Sequence, residues 1–259
     1  MQHLRIAAVG ARRESASTPP RADSGRSMTN VLLSLVCLAL PIYADVTFGQ
    51  PPDPGSGNVF PFGFSYNAEY QQVYNSGGFS GPITITGLEV YNTQFNSSAT
   101  QTPSGTYDIH LSTTIADSTT ISPVFAANIG LGNTEVFNGN INQPWAFGDT
   151  LFIPFSTPFN YNPLLGNLLL DVVGSGIFTP DGFIGFDVKS GSTLSTRVYS
   201  PGGVSTPVGI ADKGLGLTTT FVTGTIPEPS FLPIQGAALC LLAVGRFVRR
   251  KRQTQEQLG

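Results

Sequence analysis

Asn167-Leu168-Leu169-Leu170-Asp171-Val172-Val173 is the stretch of sequence that decides the fold of this chain. Successive side chains of a β-strand point to opposite faces of its sheet, and this run is apolar on both faces. A short apolar run of this kind, bounded by turn residues, is typical of a strand that is covered on both sides. We therefore predict that residues 167–173 form a central strand.

The sequence around this strand predicts further strands and no helices. Residues 83–86 alternate strictly as Ile-Thr-Ile-Thr, and Tyr107, Ile109 and Leu111 alternate with polar residues. Clusters of Gly, Pro, Asn and Ser separate the candidate segments, and no window has the 3.6-residue apolar period of a helix. The other predicted strands are 59–64, 70–75, 88–95, 124–128, 134–138, 151–155, 183–188, 194–199 and 215–223.

Many short strands without intervening helices predict an all-β fold. We expect an antiparallel β-sandwich of two packed sheets, jelly-roll-like, that spans residues 45–225 as one domain. The sequence has no internal repeat with a period of about 20 to 50 residues, which argues against a propeller or a solenoid.

The N-terminal residues predict export. An apolar run, VLLSLVCLAL, occupies residues 31–40 and is followed by Pro41-Ile42-Tyr43-Ala44. Such a run with a small residue at its end is typical of a secretory signal peptide, which we place at residues 28–44. Cleavage is expected between Ala44 and Asp45. The alternative, an uncleaved membrane span, is disfavoured because the run is too short.

The start of this signal has two interpretations. Residues 1–27 contain five Arg and no apolar periodicity, a composition typical of disorder. We expect Met28 to be the true start and residues 1–27 to be an extension that is not made. The alternative is a long basic n-region that includes Arg21 and Arg26.

The C-terminal residues predict a membrane segment. The apolar run FLPIQGAALCLLAV occupies residues 231–244 and a helix over 231–248 would approach the length of about 20 residues that a bilayer requires. The basic tail 249–259 is expected in the cytoplasm by the positive-inside rule. A buried core helix is the alternative, which the cations at the end of the run disfavour. These cations are Arg246, Arg249, Arg250, Lys251 and Arg252.

Pro227, Glu228 and Pro229 precede the apolar run. Pro-Glu-Pro, a short apolar helix and an Arg-rich end resemble, in this order, the PEP-CTERM sorting signal of exported proteins in Gram-negative bacteria. The resemblance implies that residues 226–259 are a substrate of exosortase, a membrane protease or transpeptidase that is thought to cut near Pro-Glu-Pro. It implies no catalytic role for these three residues. Three internal segments also resemble a recurrent group of PEP-CTERM cargo domains, and that likeness implies a β-sandwich without implying an activity: YQQVYNSGGFSGPITITGLEVYN, TYDIHLSTT and FNYNPLLGNLLLDV.

Charge and cysteine usage agree with export. Cys37 and Cys240 lie in the two apolar end segments, so the predicted mature domain has no cysteine. Between Asp45 and Ile226 there are twelve acidic and three basic residues, a formal net charge of −9. A domain of this charge is repelled by nucleic acid, which we exclude as a partner, and by anionic membrane surfaces.

Asp108, His110 and Ser112 have the residue types of a hydrolytic triad. At positions i, i+2 and i+4 of one strand they stand about 6.6 Å apart, too far for the hydrogen-bonded relay that a triad needs. We interpret them as a solvent-facing polar stripe. His110 is the only histidine after residue 3, so zinc binding or histidine catalysis lacks histidine partners. No G-x-S-x-G, H-E-x-x-H or P-loop pattern occurs, and we expect a non-enzyme without a required cofactor.

Aromatic residues and carboxylates offer weaker candidates for ligand binding. Alternate positions of one segment carry aromatic residues, namely Phe60, Phe62, Phe64 and Tyr66. Trp145 is the only tryptophan. Their rings could stack on sugars, but a place in the core is the favoured interpretation. Calcium is a further candidate because carboxylates supply its oxygen ligands, although no known loop pattern groups them. The carboxylates concerned are Asp149, Asp171, Asp181 and Asp187.

The sequence is consistent with three functions. The leading expectation is a non-catalytic surface or matrix protein that uses the Sec translocon and signal peptidase, is held transiently in the inner membrane, and is released or attached to extracellular polysaccharide. The second is a carbohydrate-binding module. The third, a glycan hydrolase or lyase, requires two facing carboxylates in a groove.

Overall fold

The computed structural model describes residues 44–49, 57–65, 68–93, 99–179, 182–200 and 206–224. The predicted signal peptide up to residue 43, the extension 1–27 and the whole segment 226–259 lie outside the described residues. Among the described ranges, no helix has the length and apolar character needed to cross a membrane.

The described residues form thirteen strands and three short 3₁₀ turns. The strands are β1 Val46–Phe48, β2 Gly57–Asn58, β3 Glu69–Tyr74, β4 Ile83–Tyr91, β5 Ser104–Thr114, β6 Leu131–Gly139, β7 Thr150–Tyr161, β8 Asn167–Phe178, β9 Phe186–Lys189, β10 Ser195–Tyr199, β11 Ile210–Asp212, β12 Gly216–Leu217 and β13 Thr219–Gly224. The 3₁₀ turns are Ser76–Gly78, Phe125–Ala127 and Pro163–Leu165.

The strands pair antiparallel in three sheets. A six-stranded sheet has the order β11-β10-β3-β8-β5-β6, and a four-stranded sheet has the order β1-β13-β4-β7. The short strands β12, β9 and β2 form the third. The two large sheets pack against each other, so the prediction of an antiparallel, sandwich-like all-β fold is confirmed at this level.

Strand β8 occupies the centre of the six-stranded sheet, between β3 and β5, as predicted for residues 167–173. Leu168, Leu170 and Val172 point into the main core, where they meet Ile85 and Leu88 of the four-stranded sheet. Leu169 points to the other face, into a second apolar cluster. The apolar run is therefore covered on both sides, which explains why it tolerates so few polar residues.

Polar groups inside the core tie the third sheet to the sandwich. The hydroxyl of Tyr70 donates to Gln72 Oε1, and Gln72 exchanges hydrogen bonds with the backbone of Leu217 in β12, at 2.8 and 3.0 Å. The hydroxyl of Tyr74 donates to Thr219 Oγ1 at 2.9 Å. These buried groups are satisfied within the interior, as a stable core requires.

The excursion 115–130, which links β5 to β6, covers part of the outer face of the six-stranded sheet. Its Ile121 and Phe125 pack on Val73, Leu169 and Val198. The remainder of that face, towards β6, carries polar side chains.

Two predicted strands are wrong. Residues 59–64 form a turn in which Gly63 N donates to Val59 O at 2.8 Å, and Pro61 has no N–H for a strand ladder. Residues 124–128 contain the 3₁₀ turn Phe125–Ala127, because Phe125 points down onto the sheet from the excursion. Residues 83–86 and 88–91 form one strand, β4, and residues 215–223 are divided between β12 and β13.

Candidate functional site

Four polar side chains lie in one row across the outer face of the six-stranded sheet. Gln71 of β3 is paired with Asp171 of β8, Asp171 with His110 of β5, and His110 with Glu135 of β6. Directly opposed residues of antiparallel strands have Cβ atoms about 4.5–5.5 Å apart and point to the same face. The topology therefore gathers residues that are far apart in the sequence.

A β-bulge in β6 places Glu135 in this row. Ile109 pairs with Phe137, but its neighbour His110 pairs with Glu135, so Val136 is the extra residue. Without this bulge the apolar Val136 would oppose His110. Bulges re-aim side chains in this way, and they are frequent beside functional sites.

Asp108, His110 and Glu135 converge on one point. One ligand-type atom from each lies within 4.8 Å of the corresponding atoms of the other two. The shortest of these contacts joins His110 Nε2 to Asp108 Oδ1 at 3.0 Å. His110 Nδ1 is a buried atom without a hydrogen-bond partner among the described residues. Glu135 is exposed at the sheet edge, where its Oε2 accepts a hydrogen bond from Asn138.

Asp171 forms the floor of this cluster, with only 7% of its surface exposed. Burial raises the pKa of its carboxyl to about 6, although hydrogen bonding to Gln71 and the charge of His110 act in the opposite direction. Burial and the neighbouring carboxylate of Asp171 raise the pKa of Glu69 to about 7. Both carboxyl groups are therefore harder to ionise than free carboxyl groups. Asp171 Oδ1 has no hydrogen-bond partner within the described ranges.

The excursion 115–130 forms hydrogen bonds to Gln71, the residue at the β3 end of the row. Asn128 donates from its amide to Gln71 Oε1 at 3.0 Å, and Gln71 donates to the carbonyl of Phe125 and to Glu69 Oε1. Gln71 is fully buried. Gln71 therefore lies at the boundary between the apolar residues of the excursion and the polar row.

The arrangement is not a nucleophile–base relay. Ser112 is buried, and its Oγ accepts a hydrogen bond from Gly130 N at 3.2 Å. The prediction of a solvent-facing stripe is wrong for Ser112 and incomplete for Asp108 and His110, which are half-buried, because the excursion and the neighbouring strands cover this face.

The aromatic residues proposed for sugar stacking do not form one platform. Phe62 is fully buried and contacts Tyr107, and Trp145 is 5% exposed and packs edge-on against Phe186. Phe60 is half-buried and stacks on the ring of Tyr199. Phe64 alone of these four is exposed, because residues 59–64 turn instead of extending as a strand.

Phe64 is nevertheless one of three exposed phenylalanines on neighbouring segments, a set that we call the exposed aromatic rim. Phe64, Phe178 and Phe183 are 45%, 60% and 45% exposed. Hydrogen bonds join the backbone segments that carry them: Ile184 N donates to Gly63 O at 2.8 Å, and Thr179 N donates to Ser65 Oγ at 2.9 Å. Three exposed phenylalanines therefore lie on segments that are hydrogen-bonded to one another.

The three carboxylates considered for calcium that the structure describes do not share one cluster. Asp149 accepts from Ala146 N in a surface turn, and Asp187 is buried with both oxygens bonded to Thr93. Asp171 lies in the row described above, and Asp181 lies outside the described residues. The described members of this set therefore do not form one calcium site, since Asp149 and Asp187 have their own local partners.

Sequence reasoning missed the association of Asp171 and Glu135 with His110. One signal was available, since Asp171 is the one charged residue in the apolar run 167–173, and buried carboxylates normally have partners. The bulge that selects Glu135 has no comparable signal in the alternation.

The fold and this row define an acidic, sandwich-like β protein whose outer face carries carboxylates around one imidazole. Comparison with protein-family models, curated proteins and solved structures finds no match to this chain. The sorting residues Pro227, Glu228 and Pro229 and the basic cluster from Arg246 to Arg252 lie outside the described residues, whereas Ala44 and Asp45 lie within them.

Proposed function

We propose that this protein is a non-catalytic, exported cell-surface or extracellular-matrix protein. It uses the Sec translocon and signal peptidase, is anchored transiently in the inner membrane by the helix 231–248, and is processed by exosortase at Pro227-Glu228-Pro229. The sandwich would be jelly-roll-like and flanked by a signal helix and a transmembrane helix. The mature domain would then be released or bound to extracellular polysaccharide.

The position of the two ends of the domain supports this proposal. Strand β1 begins at Val46, directly after the predicted cleavage between Ala44 and Asp45, and pairs with β13, in which Val46 opposes Phe221. Asp45 Oδ1 accepts a hydrogen bond from Thr223 N at 2.8 Å. Cutting at the two predicted positions would therefore retain every strand that the structure describes.

Intact-mass analysis of the native protein tests the proposal. We expect an extracellular or surface form that starts at Asp45 and ends near Pro227–Pro229. Replacing Glu228 by Ala should leave the C-terminal segment attached and keep the protein in the membrane fraction. Glu256→Ala, in the basic tail, is the matched control. A mature domain found only in the cytosol contradicts the proposal.

The exposed aromatic rim favours a carbohydrate-binding module as the second candidate. Aromatic faces stack on the apolar faces of sugar rings, and isolated exposed phenylalanines are less common than buried ones. We expect the triple variant Phe64→Ala, Phe178→Ala, Phe183→Ala to lose retention on the polysaccharide of the producing organism in affinity electrophoresis. Phe147→Ala, an exposed ring in a separate turn, should behave as the unaltered protein. Equal retention of all variants would exclude the rim as a binding surface.

A further inference from the structure

We propose that Asp108, His110 and Glu135 bind a divalent metal cation of the zinc type on the outer face of the six-stranded sheet, beside the buried carboxyl group of Asp171. This inference is independent of export and of sugar binding, because it depends only on the side chains of β5, β6 and β8.

Convergence is the first observation. Three side chains from two strands bring ligand-type atoms within 4.8 Å of one another, and the closest pair, His110 Nε2 and Asp108 Oδ1, is 3.0 Å apart. Ligands of a single small cation at about 2.0–2.2 Å are separated by similar distances, so a small inward movement of Glu135 completes the set. Glu135 is exposed at the edge of the sheet and has room for this movement.

Asp171 is the second, independent observation. It lies on the neighbouring strand β8, directly opposite His110, and therefore points to the same face. It is more than nine-tenths buried, yet its Oδ1 has no hydrogen-bond partner among the described residues. Gln71 hydrogen-bonds to the same carboxyl group, so the cost of burial falls on Oδ1, and a cation beside this oxygen would lower that cost.

The donor set selects the type of cation. Calcium and magnesium prefer oxygen ligands throughout, whereas an imidazole nitrogen together with carboxylate oxygens suits zinc and its neighbours among the divalent transition metals. The bulge at Val136, which places Glu135 opposite His110, would then tie the edge strand β6 to β5 through the metal.

The test uses the full chain in a background that lacks the other histidine and both cysteines. The background substitutions are His3→Gln, Cys37→Ser and Cys240→Ser. The chain has only two histidines, so this background leaves the imidazole of His110 as the one histidine signal. We expect one equivalent of Zn²⁺ to shift the His110 ring nitrogens in a long-range ¹H–¹⁵N spectrum. Titration calorimetry should report one site, and millimolar Ca²⁺ should not displace the Zn²⁺.

Variants separate a built site from adventitious binding. Glu135→Gln should weaken Zn²⁺ by at least about tenfold, and Asp171→Asn by a similar factor. Glu89→Gln, an equivalent change on β4 of the other sheet, should bind as the background chain does. Because Glu135 is exposed, its variant is expected to fold, which circular dichroism checks. An unchanged His110 spectrum, equal affinities for Glu135→Gln and Glu89→Gln, or displacement by Ca²⁺ would each overturn the proposal.

Discussion

Asp171 and Glu69 show how one buried carboxyl group affects its surroundings. Asp171 lies among apolar residues of β8, and Glu69 lies beside it on β3, so neither can ionise as easily as a free carboxyl group. The same burial that raises the pKa of both groups leaves Asp171 Oδ1 without a donor. Asp171 therefore belongs to the carboxyl pair that influences stability and also lies beside the proposed metal site.

This pair should make the domain less stable as the pH rises. The folded-state pKa values, about 7 for Glu69 and about 6 for Asp171, exceed the ordinary values of 4.5 and 3.8. The folded state therefore binds more protons between these limits, so the stabilisation is complete below about pH 4 and is lost as the pH rises through 6 to 7. Because Glu69 is partly exposed, we expect a loss on the order of 1 kcal/mol from this pair.

Urea unfolding in EDTA between pH 4.5 and 8 measures this effect. Glu69→Gln should flatten the pH dependence of the unfolding free energy, whereas Glu89→Gln should leave its slope unchanged. The charges of Asp108 and His110, which face Asp171 from β5, are present in both variants. Parallel curves for Glu69→Gln and the unaltered chain would show that the raised pKa of Glu69 does not contribute to this pH dependence.

At the scale of the element, the excursion 115–130 has little regular secondary structure but a clear structural role. Its Phe125 is 2% exposed and packs on Val73, Leu169 and Val198, while the carbonyl of Phe125 accepts from Gln71. The excursion therefore covers the apolar half of the outer face and borders the polar row.

Replacing Phe125 by Ala should destabilise the domain by about 3 kcal/mol, because it removes a buried ring and leaves a cavity on the outer face. Val124→Ala is the control, since Val124 is 40% exposed and its change should cost less than about 1 kcal/mol. Denaturant unfolding at constant pH provides the measurement. Equal costs for the two variants would show that the excursion does not cover the sheet in solution.

The elements also show which parts of the fold could be predicted from the sequence. Strand β8 was predictable because its apolar run is buried on both faces, and β5 because its alternation is regular. The segment 124–128 was not, since its apolar residues pack on a sheet from a 3₁₀ turn, and apolar content alone does not separate the two cases.

The candidate site was less predictable than the fold. His110 and Asp108 were recognised as candidate residues within one strand, but their partners come from β8 and β6, and strand order is not written in local periodicity. Glu135 depends further on a bulge at Val136, which shifts the pairing by one residue. Long-range pairing and register are tertiary properties, and they determine which polar residues meet.

At the scale of the whole molecule, the folded sandwich is closed by strands from both ends of the domain. Strand β13 lies between β1 and β4, and its fully buried Phe221 packs against the rings of Phe48 and Tyr74. The described part of the domain thus joins its first and last strands in one sheet. Because β1 and β13 are neighbours in this sheet, the boundaries of the domain can be tested with fragments, independently of export.

We expect a fragment of residues 45–225 to fold, because it retains β1, β13 and the hydrogen bond from Thr223 N to Asp45. Its thermal unfolding should be cooperative, with a midpoint close to that of the full chain. A fragment of residues 45–218 lacks β13 and leaves β1 and β4 unpaired on that side, so it should show no cooperative transition. Differential scanning calorimetry compares the two. An unfolded 45–225 fragment would mean that the sandwich needs residues beyond these limits, and a stable 45–218 fragment would mean that β13 does not hold the four-stranded sheet together.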